Sequence, residues 1–403
     1  MKTRQLIVLI LVILMFVAGC SSFAPAPTPE PTPTPVPTMS PEEVAAEQAR
    51  IEAELEAQKQ LEKENRAKDL KIVLLIPGNL VDQPYYSLAY EGLENINAEY
   101  GSTISYVEMG KSTKSWEKNF MAVLEEDWDF VIALSDFSGT MSNLVYLNAE
   151  VYPDTHFILF ESSSDSTPSN VMTINFKTNE ATFLAGACAA LVTSSKMGLA
   201  NEQPLIGFVG GMNIYTIRNL FLLGYIEGAK YINNDIKIMV SYSGTFSSKK
   251  TGERQATTQY SQGVDVIFQA AGQTGYGVIN GALAADQYVI GVDIDQALEL
   301  EEKYPEKAAH ILTSVVKQYD GAIFWAIDQY AADELAFGTG YNLGISENAV
   351  GIAKNSYYDQ IDSEIRAQLE DIEAKIVSKE INLDNLESMD NAAFDELVKS
   401  VEP

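Results

Sequence analysis

The stretch KIVLLIPGNLVDQPYYSLAYEGLENI, residues 71–96, decides the fold class. A continuous apolar run is followed by a polar loop and then by a helical pattern. Strands that are apolar on both faces are typical of parallel sheets covered by helices on both sides. The stretch therefore predicts a strand, a loop and a helix of an α/β protein. Its loop carries one acid, Asp82, beside two aromatic residues, Tyr85 and Tyr86.

The same alternation continues along the chain in two successive blocks. The apolar runs are TISYVEM, DFVIALS, HFILFES and VMTINF in the first block, and PLIGFVGG, IKIMVSYSG, VDVIFQAAG and QYVIGVD in the second. Helical patterns separate these runs, which predicts two doubly wound parallel-sheet lobes. We expect lobe 1 at residues 70–182 with a return segment at about 312–345. We expect lobe 2 at residues 183–311 with a segment at about 346–380.

The first twenty residues have the pattern of a targeting signal. Lys2 and Arg4 precede the apolar run LIVLILVILMF, which is too short to span a membrane comfortably. VAGC, at 17–20, resembles the lipobox of bacterial lipoproteins. That resemblance implies a signal peptide at 1–19 and a lipid on Cys20. An ordinary signal, or a short anchor with a chance cysteine, is the alternative.

Two low-complexity segments follow, and an acidic segment ends the chain. Residues 20–40 are rich in Pro and Thr and predict a disordered, extended linker. Residues 41–69 are rich in Ala, Glu, Gln and Lys, with Ser40 as a cap, and predict a charged stalk helix. A solvated stalk and a coiled-coil dimer are both compatible with its thin apolar stripe. The acidic tail at 381–403 is expected to dock weakly or to stay mobile.

Charge and cysteine content restrict the function. The net charge of −29 disfavours binding to nucleic-acid phosphates and to anionic lipid headgroups. After cleavage before Cys20, only Cys188 would remain as a free thiol, so no internal disulfide is possible. Cys188 lies in FLAGACAALV and is expected to be a small buried apolar residue.

Polar and aromatic residues follow the ends of the predicted strands. The segments are SDFSGT, GGMNIYTIRNLF, AAGQTGYG, DIDQ and VVKQYDGA. Ligands of doubly wound proteins bind beyond the carboxyl ends of the strands. These loops are therefore expected to face each other across a cleft between the lobes.

Four of these segments, in order, resemble one family. GFVGGMNIYTIRNLFLLGYIEGA, GVDVIFQAAGQTGYGV, VIGVDIDQ and LTSVVKQYDGA are similar to the basic membrane lipoproteins, also called PnrA-like purine-nucleoside-binding lipoproteins. The resemblance covers about residues 70–380. It implies a type I periplasmic-binding fold with a hinge, and a receptor that captures a nucleoside for an ABC permease. It also implies a lipid-anchored protein on the extracytoplasmic face of the cell membrane.

The resemblance implies roles for residues of the second block. Asp293 matches an acid that accepts hydrogen bonds from ribose hydroxyls, and Lys317 matches a lysine beside the same sugar. Phe221 matches an aromatic residue that covers one face of the base. Gly272 and Gly275 would keep the wall beside the sugar low.

The first loop departs from the family pattern. Asp82 matches its acid, but Tyr85 stands where Phe is usual and Tyr86 where Asn is usual. A tyrosine ring can still stack, whereas Tyr86 lacks the paired donor and acceptor of Asn. The alternative is that both tyrosines only cap a helix and pack at the lobe edge.

The second loop departs as well. The family carries Gly-Phe and then an acid four residues later. SDFSGTM places Asp136 before Phe137 and puts Met141 where that acid would be. We expect Asp136 and Phe137 in the site, with Asp136 reaching the ligand from another direction.

Other chemistries find little support in the sequence. GKST at 110–113 lacks the upstream glycine of a phosphate-binding loop, and two histidines are too few for a histidine-rich metal site. We therefore expect no metal, no cofactor and no enzymatic activity. Two alternatives stay open. One is a surface sensor or regulatory lipoprotein of the same fold. The other is a nucleoside-cleaving enzyme with Asp82, Asp136 and Asp293 as its acids.

Overall fold

The computed structural model describes residues 40–134, 136, 138–162, 167–195, 197–201, 203–386 and 388–403. The predicted signal peptide, Cys20 with nearly all of the predicted linker, and Phe137 lie outside these ranges. The chain divides after Leu55 into two units, and the unit Glu56–Pro403 contains both sheets.

The secondary structure alternates between strands and helices as the sequence predicts. The strands are β1 (Lys71–Ile76), β2 (Thr103–Glu108), β3 (Phe130–Ala133), β4 (His156–Phe160), β5 (Val171–Phe176), β6 (Leu205–Gly210), β7 (Lys237–Tyr242), β8 (Val266–Ala270), β9 (Tyr288–Asp293), β10 (Ile311–Lys317), β11 (Thr339–Leu343) and β12 (Val350–Ile352). The α-helices are α1 (Pro41–Lys68), α2 (Pro84–Tyr100), α3 (Trp116–Leu124), α4 (Thr140–Asn148), α5 (Thr178–Thr193), α6 (Leu223–Ile232), α7 (Lys249–Ser261), α8 (Gly275–Ala285), α9 (Gln296–Glu301), α10 (Pro305–Ala308), α11 (Tyr319–Ala331), α12 (Ser363–Val377) and α13 (Asn391–Val401). A π-helix spans Thr216–Leu222.

Two six-stranded sheets form the two lobes. The first has the order β11-β5-β4-β3-β1-β2, and all its strands are parallel. The second has the order β12-β10-β9-β8-β6-β7, in which only β12 runs antiparallel to its neighbour. In both lobes the strand order reverses beside the first strand of the block. The carboxyl ends at this point are where doubly wound proteins bind ligands.

The chain passes between the lobes three times. The first passage precedes α5, whose residues pack against α6 and β12, so lobe 2 begins before Thr178 rather than at 183. The second follows β10, which pairs with β9 in the second sheet. The expected return at about 312 is therefore wrong, because residues 312–317 still belong to lobe 2. The third passage lies between β11 and β12.

Buried apolar residues cover both faces of each sheet. One cluster runs through both lobes and includes Ile72, Phe208 and Tyr225. A second cluster covers the other face of the first sheet, and a third covers the other face of the second. Cys188 lies in the shared cluster and is fully buried, as its apolar surroundings predict.

Helix α1 begins at a capping box. The Glu43 N–H donates to Ser40 Oγ at 3.2 Å, and the Ser40 N–H donates to Glu43 Oε2 at 2.7 Å. Two orphan groups at the helix start are thereby satisfied. The predicted helix at 41–69 is present at 41–68.

The last turns of α1 do not form a free stalk. Ala67 is fully buried, Lys63 pairs with Asp328 at 2.5 Å, and Arg66 pairs with Asp333 at 3.0 Å. The picture of a wholly solvated stalk is therefore wrong for this end of the helix, because both acids belong to α11 or follow it directly.

The acidic tail docks on the protein, which is one of the two outcomes expected for it, and forms a helix there. Residues 391–401 form α13, in which Phe394 and Val401 are buried against the protein. The tail packs because its apolar residues recur on one helical face.

Within the described part of the chain, no helix is both long and apolar enough to cross a membrane.

Candidate functional site

Loops from both lobes line one small cavity, which we call the inner cavity. It has a volume of about 90 Å³, and Tyr85, Phe221, Gly272, Asp293 and Lys317 line it. Tyr85 lies in the first turn of α2, which follows β1 and its loop, whereas Asp293 and Lys317 end β9 and β10. Five of the expected site residues thus meet at the carboxyl ends of strands from different lobes.

A larger outer cavity of about 1040 Å³ adjoins it. Asp82, Tyr86 and Asp136 line the outer cavity, and Tyr85 and Glu161 line both. The expected residues therefore separate into two groups. Most of the lobe 2 residues surround the inner cavity, and those of the first two loops surround the outer one.

An ion pair joins the two lobes at the inner cavity. The side chain of Glu161, directly after β4, accepts hydrogen bonds from Lys317 Nζ and from the hydroxyl of Tyr319. The Glu161 N–H donates to Ile174 O at 2.8 Å, which fixes its backbone against β5. Lys317 is 5% exposed, so this pair is largely removed from water. Buried ions need such partners, because desolvation of a lone charge is costly.

Asp293 is the second carboxylate of the inner cavity. Burial raises its pKa to about 6, with Lys317 opposing and Glu161 reinforcing the shift. Its strand end is held by Gln296, whose Oε1 accepts from the Val292 N–H at 3.1 Å and from Gln269 Nε2 at 2.7 Å. Asp293 is therefore a rigidly placed acceptor whose charge is only partly compensated.

Glu161 titrates in the opposite direction. Burial opposes its ionisation, but the charge of Lys317 and the hydrogen bonds from Lys317 and Tyr319 outweigh that cost and lower its pKa. At neutral pH the inner cavity thus holds two carboxylates and one ammonium group. This balance favours ligands that donate hydrogen bonds and disfavours added negative charge.

The backbone at both acids is unusual. Glu161 has φ +49° and Asp293 has φ +69°, the left-handed region that residues other than glycine rarely adopt. Only six non-glycine residues in the described ranges have positive φ, and two of them line this cavity. Such strain concentrates at functional sites, which supports a functional role here.

Aromatic rings form the walls of the inner cavity. The ring of Tyr85 stacks on that of Tyr319 with centroids 5.0 Å apart and an interplanar angle of 23°. Lys317 Nζ lies 5.3 Å from the centroid of Phe221 and 5.7 Å from that of Phe176. The rings thus stabilise the lysine and offer faces on which a planar ligand group can stack.

The outer-cavity acids also serve their own loops. Asp82 Oδ2 accepts from the Asn79 N–H at 2.9 Å, and its Oδ1 lies 3.2 Å from Lys111 Nζ. Asp136 accepts from the Met141 N–H at 2.8 Å at the start of α4. The Asp136 carboxylate also accepts from the N–H groups of Ser138 and Thr140, so its own loop uses most of its hydrogen-bonding capacity.

Three expected residues have other outcomes. Tyr86 is 5% exposed and its hydroxyl donates to Pro77 O at 3.1 Å, so most of the ring packs in lobe 1. Gly275 does not line either cavity. A Cβ there would lie 1.9 Å from Gln269 Oε1, so its expected place in the wall is wrong and its small size serves packing. Phe137 lies outside the described residues.

The candidate residues did not include Glu161 or Tyr319, although Tyr319 lies in the family segment LTSVVKQYDGA. Glu161 follows the apolar run HFILF directly, so the rule of strand ends could have found it. The Ser-rich segment after it has no motif, and the four quoted family segments do not include it.

Comparisons with known proteins agree with this architecture. Residues 69–387 match the family model Bmp, described as ABC transporter substrate-binding protein PnrA-like. The chain belongs to this family. The family description is that of a substrate-binding protein. The Bmp match therefore assigns the chain a small solute as ligand, an ABC permease as partner and an extracytoplasmic, membrane-associated location.

Individual Bmp relatives match over most of their length. Basic membrane protein A of Borreliella burgdorferi is 29% identical over 316 residues, which are 77% of this chain and 86% of the relative. The CD4+ T-cell-stimulating antigen of Listeria monocytogenes is 27% identical over 331 residues, 79% of this chain and 88% of the relative.

A solved structure shares the fold. An ABC transporter solute-binding protein from Aeropyrum pernix K1 aligns with a TM-score of 0.66 at 21% identity, covering 83% of this chain and 97% of that one. The fold is thus that of type I periplasmic-binding proteins, as the resemblance of the four segments predicted.

Proposed function

We propose that the protein captures a nucleoside-like solute between its two lobes and delivers it to an ABC-type permease. One observation carries the proposal: Tyr85, Phe221, Asp293 and Lys317, from both lobes, line the same inner cavity. They supply ring faces, a hydrogen-bond acceptor and a donor, and a nucleoside presents a planar base beside a polyhydroxylated sugar.

The sugar is assigned to Asp293 and Lys317. An ionised carboxylate forms charge-assisted hydrogen bonds with a diol, and these bonds are stronger than neutral ones. Lys317 is a positively charged group and donates hydrogen bonds to the sugar oxygens. Because Glu161 already balances Lys317, Asp293 is free to respond to the ligand.

The base is assigned to the aromatic walls and to the outer cavity. Stacking of a base on an aromatic ring contributes roughly 1–3 kcal/mol in proteins that bind single-stranded nucleic acid. The inner cavity alone, at about 90 Å³, is smaller than ordinary ligand pockets, so part of the solute extends into the outer cavity. Asp82 and Asp136, which line the outer cavity, then lie beside the edge of the base.

The charge of the site selects against phosphate. Two carboxylates surround the single ammonium group of Lys317, within a chain of net charge −29. A nucleoside is therefore preferred to a nucleotide. Entry and release follow from hinge motion at the three passages between the lobes, as in other two-lobed binding proteins. A lipid on Cys20 would hold the protein at the membrane beside its permease.

Isothermal titration calorimetry of the purified protein tests the proposal. Purine and pyrimidine nucleosides, free ribose, free bases and nucleoside monophosphates are titrated in parallel. We expect binding of at least one nucleoside class and at least tenfold weaker binding of its monophosphate. The absence of heat with every nucleoside, confirmed by thermal shift, would overturn the proposal.

A further inference from the structure

The C-terminal helix α13 packs beside the wall of the binding cleft. The match to the Bmp family ends at residue 387, and α13 spans Asn391–Val401 beyond it. Asp390 caps the helix by accepting from the N–H groups of Ala392 and Ala393 at 2.8 and 2.9 Å. Phe394 and Val401 are 4% and 1% exposed, so the helix is docked through buried apolar side chains.

Two adjacent residues of lobe 2 receive this helix. The guanidinium carbon of Arg218 lies 4.2 Å from the centroid of the Phe394 ring, and Arg218 Nη2 lies 3.5 Å from Asp395 Oδ1. Asn219, which is 4% exposed, donates from Nδ2 to Met389 O at 3.4 Å. Stacking and charge thus act together on Arg218, whose planar group suits both contacts.

Both receiving residues belong to the π-helix that carries part of the site. Arg218 and Asn219 lie within Thr216–Leu222, and Thr216, Ile217 and Phe221 of the same segment line the inner cavity. π-Helical turns are rare and occur frequently at functional sites. Arg218 contacts α13 and Asn219 bonds to Met389, just before the helix, whereas their neighbours line the cavity. One side of the π-helix is therefore held by C-terminal residues, and the other side lines the site.

We propose that α13 and the residues directly before it are a positioning element of the cleft, which holds the π-helix through Arg218 and Asn219 and thereby fixes Phe221. Helix α13 acts on Phe221 only through the π-helix. The effect of α13 on ligand binding rests on the proposed function. The expected effect of α13 on ligand affinity is preorganisation. A wall that is already ordered before binding loses less conformational entropy when the ligand binds.

Hydrogen exchange of the amides in residues 214–223, measured without ligand, tests whether α13 holds the π-helix in place. Phe394→Leu keeps the apolar packing but removes the ring face, and Phe394→Tyr keeps the ring. We expect exchange to be about threefold to tenfold faster in Phe394→Leu and unchanged in Phe394→Tyr. Glu396→Gln, an exposed acid on the same helix, is the matched control for Asp395→Asn, which should show a smaller acceleration. Equal exchange in Phe394→Leu and the unmodified protein would overturn the inference.

Arg218→Lys is a second variant, needed because Phe394→Leu could destabilise the whole protein and not only the π-helix. Amides of β8 serve as the internal reference, because they report on global opening. Arg218→Lys keeps the charge but loses the planar stacking, and we expect faster exchange at 214–223 with β8 unchanged. Acceleration of both regions alike, in both variants, would assign α13 a general structural role and contradict positioning.

Binding is measured separately so that the two proposals fail in different ways. For a nucleoside that the unmodified protein binds, Phe394→Leu should weaken affinity about threefold or more, with Phe394→Tyr restoring it. If no nucleoside binds the unmodified protein, the proposed function fails while the exchange experiment still decides the role of α13. Faster exchange with unchanged affinity would overturn the effect of α13 on the ligand.

Discussion

At the scale of single residues, the site depends on how two acids share one lysine. Glu161 accepts a hydrogen bond from Lys317. The charges of Glu161 and Lys317 both act on the pKa of Asp293, which is the acceptor that faces the cavity. The asymmetry explains why the pKa of Asp293 is raised and that of Glu161 is lowered. The state of Asp293 is thus expected to control ligand affinity.

Asp293→Asn is expected to weaken nucleoside binding about 10- to 100-fold, because hydrogen bonds to charged groups contribute about 1.5–3 kcal/mol. Calorimetry at pH 8 measures the loss. Asp286→Asn is the control, since Asp286 is exposed, precedes the same strand and also has positive φ, at +53°. Equal losses in both variants would contradict the role of Asp293.

The pH dependence of binding follows from the pKa of about 6 for Asp293. The ionised form accepts hydroxyl donors, so affinity should be constant above that pH and should fall as the pH drops below it. The free energy of unfolding changes with pH in the opposite direction. The raised pKa means that the charged carboxylate costs stability above pH 6, and this cost disappears as the acid is protonated toward pH 4.

Asp293→Asn should therefore be more stable than the unmodified protein at pH 8, with a difference that shrinks toward pH 4. Urea unfolding across this range measures it. A difference that grows as the pH falls would show that Asp293 is not a buried acid whose charge is only partly compensated.

Glu161→Gln is expected to lower the pH at which binding is half lost. Without Glu161, Lys317 acts on Asp293 alone and lowers its pKa, and one source of repulsion is removed. Affinity profiles between pH 4 and pH 8 measure the shift. Glu150→Gln, an exposed acid of lobe 1, makes the same change in net charge and should leave the midpoint in place.

Much of the inner cavity could be predicted from residues alone. Asp293, Lys317 and Phe221 stand in segments that carry the family pattern, and all three line the cavity. Glu161 lies outside the family segments and is marked only by its place after a strand, and its pairing with Lys317, 156 residues away in the chain, leaves no local pattern. Gly275 was misplaced because the collision that excludes a side chain there comes from Gln269, which no local pattern reveals.

At the scale of elements, propensity and periodicity account for the long segments. The apolar runs of β1, β3, β4 and β8 are buried along nearly their whole length. The edge strand β12 has only three residues, and the edge strand β11 (TGYNL) is mostly exposed, so neither shows the continuous apolar run of a buried strand. The π-helix was also unpredictable, because one shifted hydrogen-bond pattern leaves no clear mark on sequence periodicity.

The crossing of α5 and α6 gives a prediction at this scale. A Cβ on Gly186 would lie 2.0 Å from Tyr225 O, so Gly186→Ala forces the helices apart. We expect it to lower the free energy of unfolding by about 3 kcal/mol, measured by urea denaturation. Gly321→Ala in α11 is the matched control.

A Cβ on Gly321 would meet only Gln318 Cβ, at 3.6 Å. Because alanine favours helices, Gly321→Ala should leave stability within about 1 kcal/mol or increase it. A Gly186→Ala variant as stable as the control would mean that the two helices are not in close backbone contact.

At the scale of the whole molecule, two sheets of similar order are joined by three chain passages. The alternation of strands and helices was sufficient to predict the two lobes, because each continuous apolar strand requires helices on both faces. The exact passages were not predictable, since β10 and its neighbours look alike in sequence whichever sheet they join. A ligand that contacts both lobes should stabilise the folded chain as one unit.

This linkage has an expected size. At a free concentration of 100 times Kd, a nucleoside should raise the free energy of unfolding by about 2.7 kcal/mol. Urea denaturation with and without ligand measures it, and Asp293→Asn at the same ligand concentration should show a smaller gain. An equal gain in the variant would place the ligand elsewhere on the protein.

The most direct test compares calorimetric affinities of a nucleoside and its 2′,3′-dideoxy analogue in the unmodified protein and in Asp293→Asn. We predict that the analogue binds at least tenfold more weakly to the unmodified protein, and that this difference largely disappears in Asp293→Asn. Equal binding of both compounds to the unmodified protein, or a difference that the substitution leaves intact, would contradict capture of the sugar by Asp293.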